Sequence, residues 1–482
     1  MRHSAPVPTW ADPAWTHLDV TQVTADSRAV RPGALFVAIP GTRQDGRAFI
    51  GEAVAAGAVA VLAPAGTAWP PSVPIRPLIE TREPRQALAR AAAALAGRQP
   101  RQVIAITGTN GKTSTAEFLR QIWTLAGHRA ASLGTLGLIA PGFPAGAGLT
   151  TPDPVSLAAT LAALASAGIE HAAMEASSHG LDQFRLDGVS LAAGAFTNLT
   201  RDHLDYHGTE AAYRVAKLRL FAELLPTGAV AVVNADMDPA TLAELRRIAA
   251  EKQLRLHTVG GAGTAIRLVF TTPRPNGQEL EIDVHGKRHS LSLPLPGRFQ
   301  ADNALLAAGL AFALGDNTAI DNLKSLTGVR GRMELAATLP NGAAVYVDYA
   351  HTPDALERLL LALRPHTTGR LHLVFGAGGD RDRGKRPLMG AIAARRADTA
   401  IVTDDNPRTE DAAAIRAAIR NACPDATEIG DRAAAIAAAM SDLQPGDVLA
   451  VAGKGHEQGQ TIGNTVLPFD DVTTVRRLAG FA

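Results

Sequence analysis

The sequence predicts an α/β protein with mostly parallel sheets, and three observations carry that expectation. A short apolar run, Val103 to Ile106, leads through a Gly-rich turn into an amphipathic stretch, Thr113 to Leu125, bearing Phe118, Leu119, Ile122 and Trp123. Further apolar runs at 171–174, 193–196 and 229–233 alternate with helical sequence, as strands joined by helical crossovers do. The same rhythm restarts after residue 343, with runs at 345–347, 371–375, 399–402 and 448–451.

Taken in order, residues 1–98 alternate short apolar runs (34–39, 59–62) with Gly/Pro turns, then reach a helical stretch that ends at the breaker Gly97-Arg-Gln-Pro100. That breaker predicts a domain boundary. A second domain is expected over 99–332 and a third, doubly wound, over 333–482, because 482 residues exceed one comfortable core. No fixed-period repeat points to a solenoid.

Composition excludes several classes. Forty-seven basic side chains against 46 acidic ones leave no electrostatic case for a nucleic-acid or anionic-membrane partner. One cysteine, Cys423, cannot build a disulfide framework or a thiolate zinc site within the chain, which fits a reducing cytosol. Prolines and Asp12 interrupt residues 1–15 where a signal peptide needs an apolar run, and apolar stretches such as 57–64 fall far short of the roughly 20 residues of a membrane helix. A soluble, cytoplasmic protein is expected.

The chemistry starts at Thr107-Gly-Thr-Asn-Gly-Lys-Thr113, between a strand and a helix. Glycines let a backbone approach phosphate closely, loop amides point inward, and a helix N-terminus favours negative charge. Lys112 and Thr113 are placed to serve phosphate and Mg²⁺. Ile106 stands five positions before Gly111, where the longer Walker loop has glycine, so this loop is shorter at its start. His203 and His207 stand four apart like a helical zinc pair, but Leu204 replaces the glutamate a zinc protease requires. In the last third, three strands run straight into polar loops: Gly376-Ala-Gly-Gly-Asp-Arg381, Asp404-Asp-Asn-Pro-Arg408 and Gly453-Lys-Gly-His-Glu457. Strand ends of one parallel sheet face a common crevice, and arginines beside acidic residues suit a zwitterionic amino acid.

The shortened loop resembles that of the Mur ligase family, and further segments agree in order: Thr150-Thr-Pro-Asp153, Glu175-Ala-Ser-Ser-His-Gly-Leu-Asp-Gln-Phe-Arg185, Thr197 to Gly208, Ala301-Asp-Asn303, Gly331-Arg-Met-Glu334 and Asp348-Tyr-Ala-His-Thr-Pro-Asp354. The resemblance implies a UDP-sugar-binding domain, a central P-loop ATPase and a C-terminal Rossmann-like domain that binds the amino acid. It implies a monomeric ATP-dependent ligase that joins meso-diaminopimelate to the D-glutamate side-chain carboxylate of UDP-N-acetylmuramoyl-L-alanyl-D-glutamate through an acyl phosphate. A lysine-adding ligase, folate polyglutamylation and a nucleotide-binding regulator without catalysis are the alternatives.

Residue by residue, the resemblance implies an ATP site of Gly108, Thr109, Asn110, Gly111, Lys112, Thr113 and Ser114, with Asn303, Arg332 and Asp348 joining it. It implies two Mg²⁺ ions, one on Thr113 and Glu175, the other on His203 and on Lys217 carbamylated by CO₂; Lys112, Glu175, His203 and Lys217 are the catalytic set. It assigns the UDP-muramoyl-dipeptide to Ser27, Thr42, Arg43, Gln44, Thr150, Thr151, Ser177, Gln183 and Arg185. It assigns diaminopimelate to Arg381, Asp405, Asn406, Pro407, Arg408, Gly453 and Glu457, with Arg408 meeting the second carboxylate that lysine lacks. Phe184 and Ala176 replace the more usual histidine and valine. The residues alone leave other readings open: Lys217 as a solvated lysine on a helix face, Glu175 as a helix cap, Asn303, Arg332 and Asp348 as caps or ion pairs, and the 26–28 and 41–46 segments as surface turns.

Overall fold

The computed structural model of the chain describes residues 18–41, 44–144, 150–200, 202–274 and 276–481, so Thr42 and Arg43 lie outside the described residues. Two compact units divide the chain: residues 1–116 with 127–257, and residues 117–126 with 258–482.

The first unit opens with a four-stranded parallel sheet, Gln22–Thr24, Ala34–Val37, Ala58–Pro64 and Leu78–Thr81, in sequence order. Helix Pro84–Ala96 follows; Pro84 starts it, Glu83 accepts from the Arg85 amide, and Gly97 ends it with φ +84°. The unit's other strands are ordered Val230–Asn234, Leu191–Phe196, Gln102–Thr107, His171–Glu175, Ala130–Gly134 and Gly137–Ile139. The first four pairings are parallel, and the last is an antiparallel hairpin. Leu157, Leu161 and Leu164 on helix Pro154–Ser166 bury one face into this sheet's core with Met174, Leu181 and Phe196. Helix Lys112–Leu125 begins directly behind the strand 102–107, as the sequence predicts.

In the second unit, Ile266–Arg274, Gly277–Val284 and Lys287–Leu293 form an antiparallel meander. The parallel rhythm expected from the sequence does not extend to it. A six-stranded sheet follows, ordered Glu334–Thr338, Ala344–Asp348, Val448–Ala452, Leu371–Phe375, Thr399–Val402 and Thr427–Glu428, parallel except at the first edge pair. Helices pack on both faces, one core holding Leu356, Leu360 and Met389, the other Ile436, Met440 and Val475. A short hairpin, Gly459–Ile462 with Thr465–Pro468, stands apart from the sheet. Among the described residues no helix is long and apolar enough to cross a membrane.

Candidate active site

Strand order sets the geometry of the first unit's site. The strands 191–196, 102–107 and 171–175 are neighbours, so the loops after their C-terminal ends lie side by side. The loop 107–111 is tied to the loop after residue 196: Thr197 Oγ1 donates to Asn110 O at 2.6 Å, the Asn110 amide to Asn198 Oδ1 at 3.0 Å, and Thr109 Oγ1 to Thr200 O at 3.1 Å. Lys112 curls back, its Nζ donating to Gly108 O at 3.0 Å and Thr109 O at 2.8 Å. Ser114 is buried in the first helical turn.

Glu175, only 2 % exposed, is the last residue of its strand and points at that turn. Its Oε1 accepts from Thr113 Oγ1 at 2.9 Å and from the Thr135 amide at 2.7 Å. The helix-cap reading fails, because Ser177 caps the following helix by accepting from Gly180 N. Gly134 leaves the space: a Cβ there would lie 2.1 Å from Glu175 Oε1. Neither Gly134 nor Thr135 is singled out as a site residue by the sequence.

Lys217 is 1 % exposed, which overturns the solvated-lysine reading. Helix Glu210–Arg219 carries it inward, where Nζ donates to Gly108 O at 2.7 Å and lies 4.5 Å from the centre of the Tyr213 ring. Burial first, and the nearby Lys112 ammonium second, pull its pKa well below the usual lysine value. Tyr213 is itself pushed up to about 12 by burial and donates to Thr109 Oγ1 at 3.2 Å. His203 is about half exposed with φ +50°, and its ring stands 5.0 Å from His179 and 6.2 Å from Tyr213. The hard-oxygen pair Thr113–Glu175 is of a kind that suits Mg²⁺, and His203 and Lys217 each lie near the Tyr213 ring. Among the described residues no cluster of three His, Cys, Asp or Glu side chains is poised to hold a metal ion.

Behind Glu175, Thr151 Oγ1 donates to Glu175 O and to Ser177 Oγ, both at 3.0 Å. Thr150 Oγ1 meets Thr135 Oγ1 at 3.0 Å. Arg185 donates to Thr151 O at 2.6 Å and to Gln183 Oε1 at 2.7 Å, and burial lowers its pKa. Five of the expected dipeptide-binding residues therefore form one connected polar surface beside Glu175. Gln44 is exposed in a turn closed by Gly41 N to Gln44 O, and Ser27 lies in a 3₁₀ turn capped by Asp26.

In the second unit Asn303 is buried on helix Arg298–Ala313. The Arg332 guanidinium lies 4.9 Å over the Tyr349 ring. Asp348, whose pKa burial raises, accepts from the Met333 amide at 2.7 Å and the Ala350 amide at 2.8 Å, so it anchors the turn leaving its strand. The three polar loops do converge, since their strands 448–452, 371–375 and 399–402 are adjacent. Gly379 N donates to Asn406 O at 2.9 Å, Arg408 Nη1 to Gly379 O at 2.8 Å, and Asn406 Nδ2 to Glu457 Oε2 at 2.9 Å. Arg381 is exposed at the rim and Asp405 is buried. Glu410 and Arg386, missed in the sequence, brace the rim: Arg386 donates to Glu410 at 2.9 Å, and that bond with the Asp380 amide holds Glu410 down to about 2.

The chain resembles known proteins along nearly its whole length. Patterns described as Mur ligase family, catalytic domain; Mur ligase middle domain; and Mur ligase, glutamate ligase domain match residues 19–97, 106–311 and 331–455. The UDP-N-acetylmuramoyl-L-alanyl-D-glutamate–2,6-diaminopimelate ligase of Caulobacter vibrioides is 54% identical, over 96% of this chain and 96% of its own length. That of Chelativorans sp. (strain BNC1) is 53% identical over 95% and 94%. A solved structure of an enzyme of the same name superposes with a TM-score of 0.73 at 33% identity, over 96% of this chain and 95% of that one.

Proposed function

The chain belongs to the Mur ligase family, ATP-dependent amide-bond-forming ligases, and from that premise we propose how its residues divide the work. It joins meso-diaminopimelate to UDP-N-acetylmuramoyl-L-alanyl-D-glutamate in the synthesis of peptidoglycan precursors. The observation that supports the substrate reading is the convergence of Asp405, Arg408 and Glu457 at adjacent strand ends, two carboxylates and a guanidinium that suit an amino acid bearing both charges twice.

The chemistry follows from the need for a leaving group. The γ-phosphoryl of ATP passes to the D-glutamate side-chain carboxylate, releasing ADP; the free amine attacks the resulting acyl phosphate, and phosphate departs as the amide forms. Positioning and charge neutralisation are the main demands of such a transfer. The loop amides of 108–114 and Lys112 are assigned to the phosphates, and Asn303, Arg332 and Asp348 are assigned to the nucleotide. Thr150, Thr151, Ser177, Gln183 and Arg185 orient the dipeptide, with Ser27, Thr42, Arg43 and Gln44 at the uridine end. Arg381, Asp405 to Arg408, Gly453 and Glu457 line the amino-acid pocket.

Mg²⁺, when bound, neutralises the repelling anions of ATP and acceptor. We assign one ion to Thr113 and Glu175 and a second to His203 and carbamylated Lys217. The depressed Lys217 amine supports the carbamate: CO₂ adds only to a neutral amine, and burial beside Lys112 disfavours the ammonium. Three domains, 1–98, 99–332 and 333–482, a monomeric state and a cytoplasmic location complete the reading. The test is product mass: ATP, Mg²⁺, the UDP-dipeptide and meso-diaminopimelate must yield the UDP-tripeptide together with ADP and phosphate. ATP consumption without that product overturns the assignment.

A further inference from the structure

We propose that Lys454 is a positioning residue for the incoming amino acid, fixing Asn406 and, through it, Glu457 and the backbone of Arg408. The inference rests on the assignment of these loops to diaminopimelate. Lys454 has a side chain 0 % exposed, on the loop that follows strand Val448–Ala452. Its Nζ donates to Asn406 Oδ1 at 3.0 Å and stands 3.7 Å from Asp405 Oδ1 and 3.6 Å from Glu457 Oε2. Removing an ammonium from water costs several kcal/mol unless partners compensate, so its burial must be held in place by them.

The surrounding chain is built to turn this lysine inward. Gly453 and Gly455 flank it with φ +120° and +53°, and a Cβ on either would lie 2.9 Å from Asp405 Oδ2 or 2.7 Å from Tyr349 Cβ. The partner it grips is a junction. Asn406 Oδ1 also accepts from the Thr461 amide at 2.9 Å, and its Nδ2 donates to Glu457 Oε2 at 2.9 Å. The hairpin carrying Thr461 in turn clamps Arg408: Arg408 N donates to Thr461 O at 3.1 Å and Gly463 N to Arg408 O at 2.7 Å. Arg408 is thereby held at φ +51°, a left-handed conformation that a long side chain adopts only when its surroundings impose it.

Charge gives the same answer. Beneath the pocket lie three carboxylates, Asp405, Glu457 and Asp471, and two buried cations, Lys454 and Arg432, the latter paired with Asp471 at 2.7 Å. Without Lys454 the Asp405 and Glu457 carboxylates repel, Asn406 loses the donor that fixes its amide orientation, and the two ends of the pocket lose their common reference.

The experiment uses the full-length enzyme and the variants Lys454→Met and Asn406→Asp, the second isosteric and serving if the first does not fold. KM is measured for meso-diaminopimelate, ATP and the UDP-dipeptide separately, alongside thermal unfolding. KM for meso-diaminopimelate rises by about tenfold to a hundredfold in both variants, the cost of a misplacement on the order of 1 Å, while the other two KM values stay within about twofold. A purely structural loss would lower the amount of active enzyme without moving one KM alone. An unchanged or lower KM for meso-diaminopimelate in a folded variant overturns the proposal. If the wild type makes no product with meso-diaminopimelate, the loop assignment itself falls and this inference falls with it; product formation by the wild type separates the two outcomes.

Discussion

Gly134→Ala is the change that most directly probes the packing around Glu175. A Cβ at this position would lie 2.1 Å from Oε1 and 2.5 Å from the carboxyl carbon, closer than real Cβ atoms come, and the position is fixed by its strand. The carboxylate must withdraw by about 1 Å to reach van der Waals contact. That stretches the 2.9 Å bond from Thr113 and the 2.7 Å bond from the Thr135 amide toward or beyond hydrogen-bonding range. Overpacking of this kind costs about 1–3 kcal/mol, and a hydrogen bond to a charged group is worth about 1.5–3 kcal/mol. The two losses overlap, so a destabilisation of about 2–4 kcal/mol is expected, or about 4–16 °C in the unfolding midpoint of a unit of this size. Turnover should fall by about a hundredfold because Glu175 leaves the position facing Thr113. Differential scanning calorimetry and steady-state ligation with Glu175→Gln as comparator read both effects; the isosteric variant should lose turnover with the smaller change in midpoint. Wild-type midpoint and turnover in Gly134→Ala would refute the reasoning, since the alanine would then be accommodated without moving Glu175.

Three further outcomes are expected. His366 is buried, accepting from Gly297 N at Nε2 (2.8 Å) and donating from Nδ1 to Arg274 O (2.7 Å), and burial lowers its pKa below 6.5. The unfolded chain therefore binds the proton first as pH falls below about 6.5, so this contribution to stability is full above that pH and lost below it; His366→Gln should flatten the fall of the unfolding midpoint between pH 7.5 and 5.5, and an unaltered slope would assign it to other groups. Asp471→Asn leaves the fully buried Arg432 without its counter-charge and should cost about 3–5 kcal/mol in chemical denaturation, whereas a loss under about 1 kcal/mol would mean that the site relaxes or hydrates. Labelled bicarbonate should give a carbamate carbon signal in the NMR spectrum of the wild type that Lys217→Ala lacks, weakening as acid protonates the amine; no signal at pH 7.5 would remove CO₂ from the second metal position.

How much of this is legible in the sequence depends on where the information lies. The strand 102–107, its loop and the helix 112–125 are readable because apolar period, glycines and Gly-Lys-Thr occur within one local segment. The strand ends bearing 376–381, 404–408 and 453–457 are readable for the same reason, and their adjacency follows from the parallel sheet. The meander 266–293 is not: exposed and half-buried positions interrupt its apolar face, so no clean alternation marks it. Lys217 is not readable locally either. Its helix looks amphipathic and solvated, and only packing against Gly108, nearly 110 residues earlier, buries the amine. Lys454 shares that fate, since the glycines beside it signal a turn without saying that the turn points inward. Gly134 acts through the space it leaves, which a sequence does not display.

The central claim is the identity of the amine, and the ratio of kcat/KM for meso-diaminopimelate to that for L-lysine tests it most directly, measured by phosphate release with the UDP-dipeptide and confirmed by product mass. Arg408 left without its carboxylate partner should penalise lysine by about 2–5 kcal/mol, so the ratio should lie between about thirty and several thousand and should collapse in Arg408→Ala. A ratio near one, or a preference for lysine, would contradict the account at the loops 404–408 and 453–457 while leaving the nucleotide site intact.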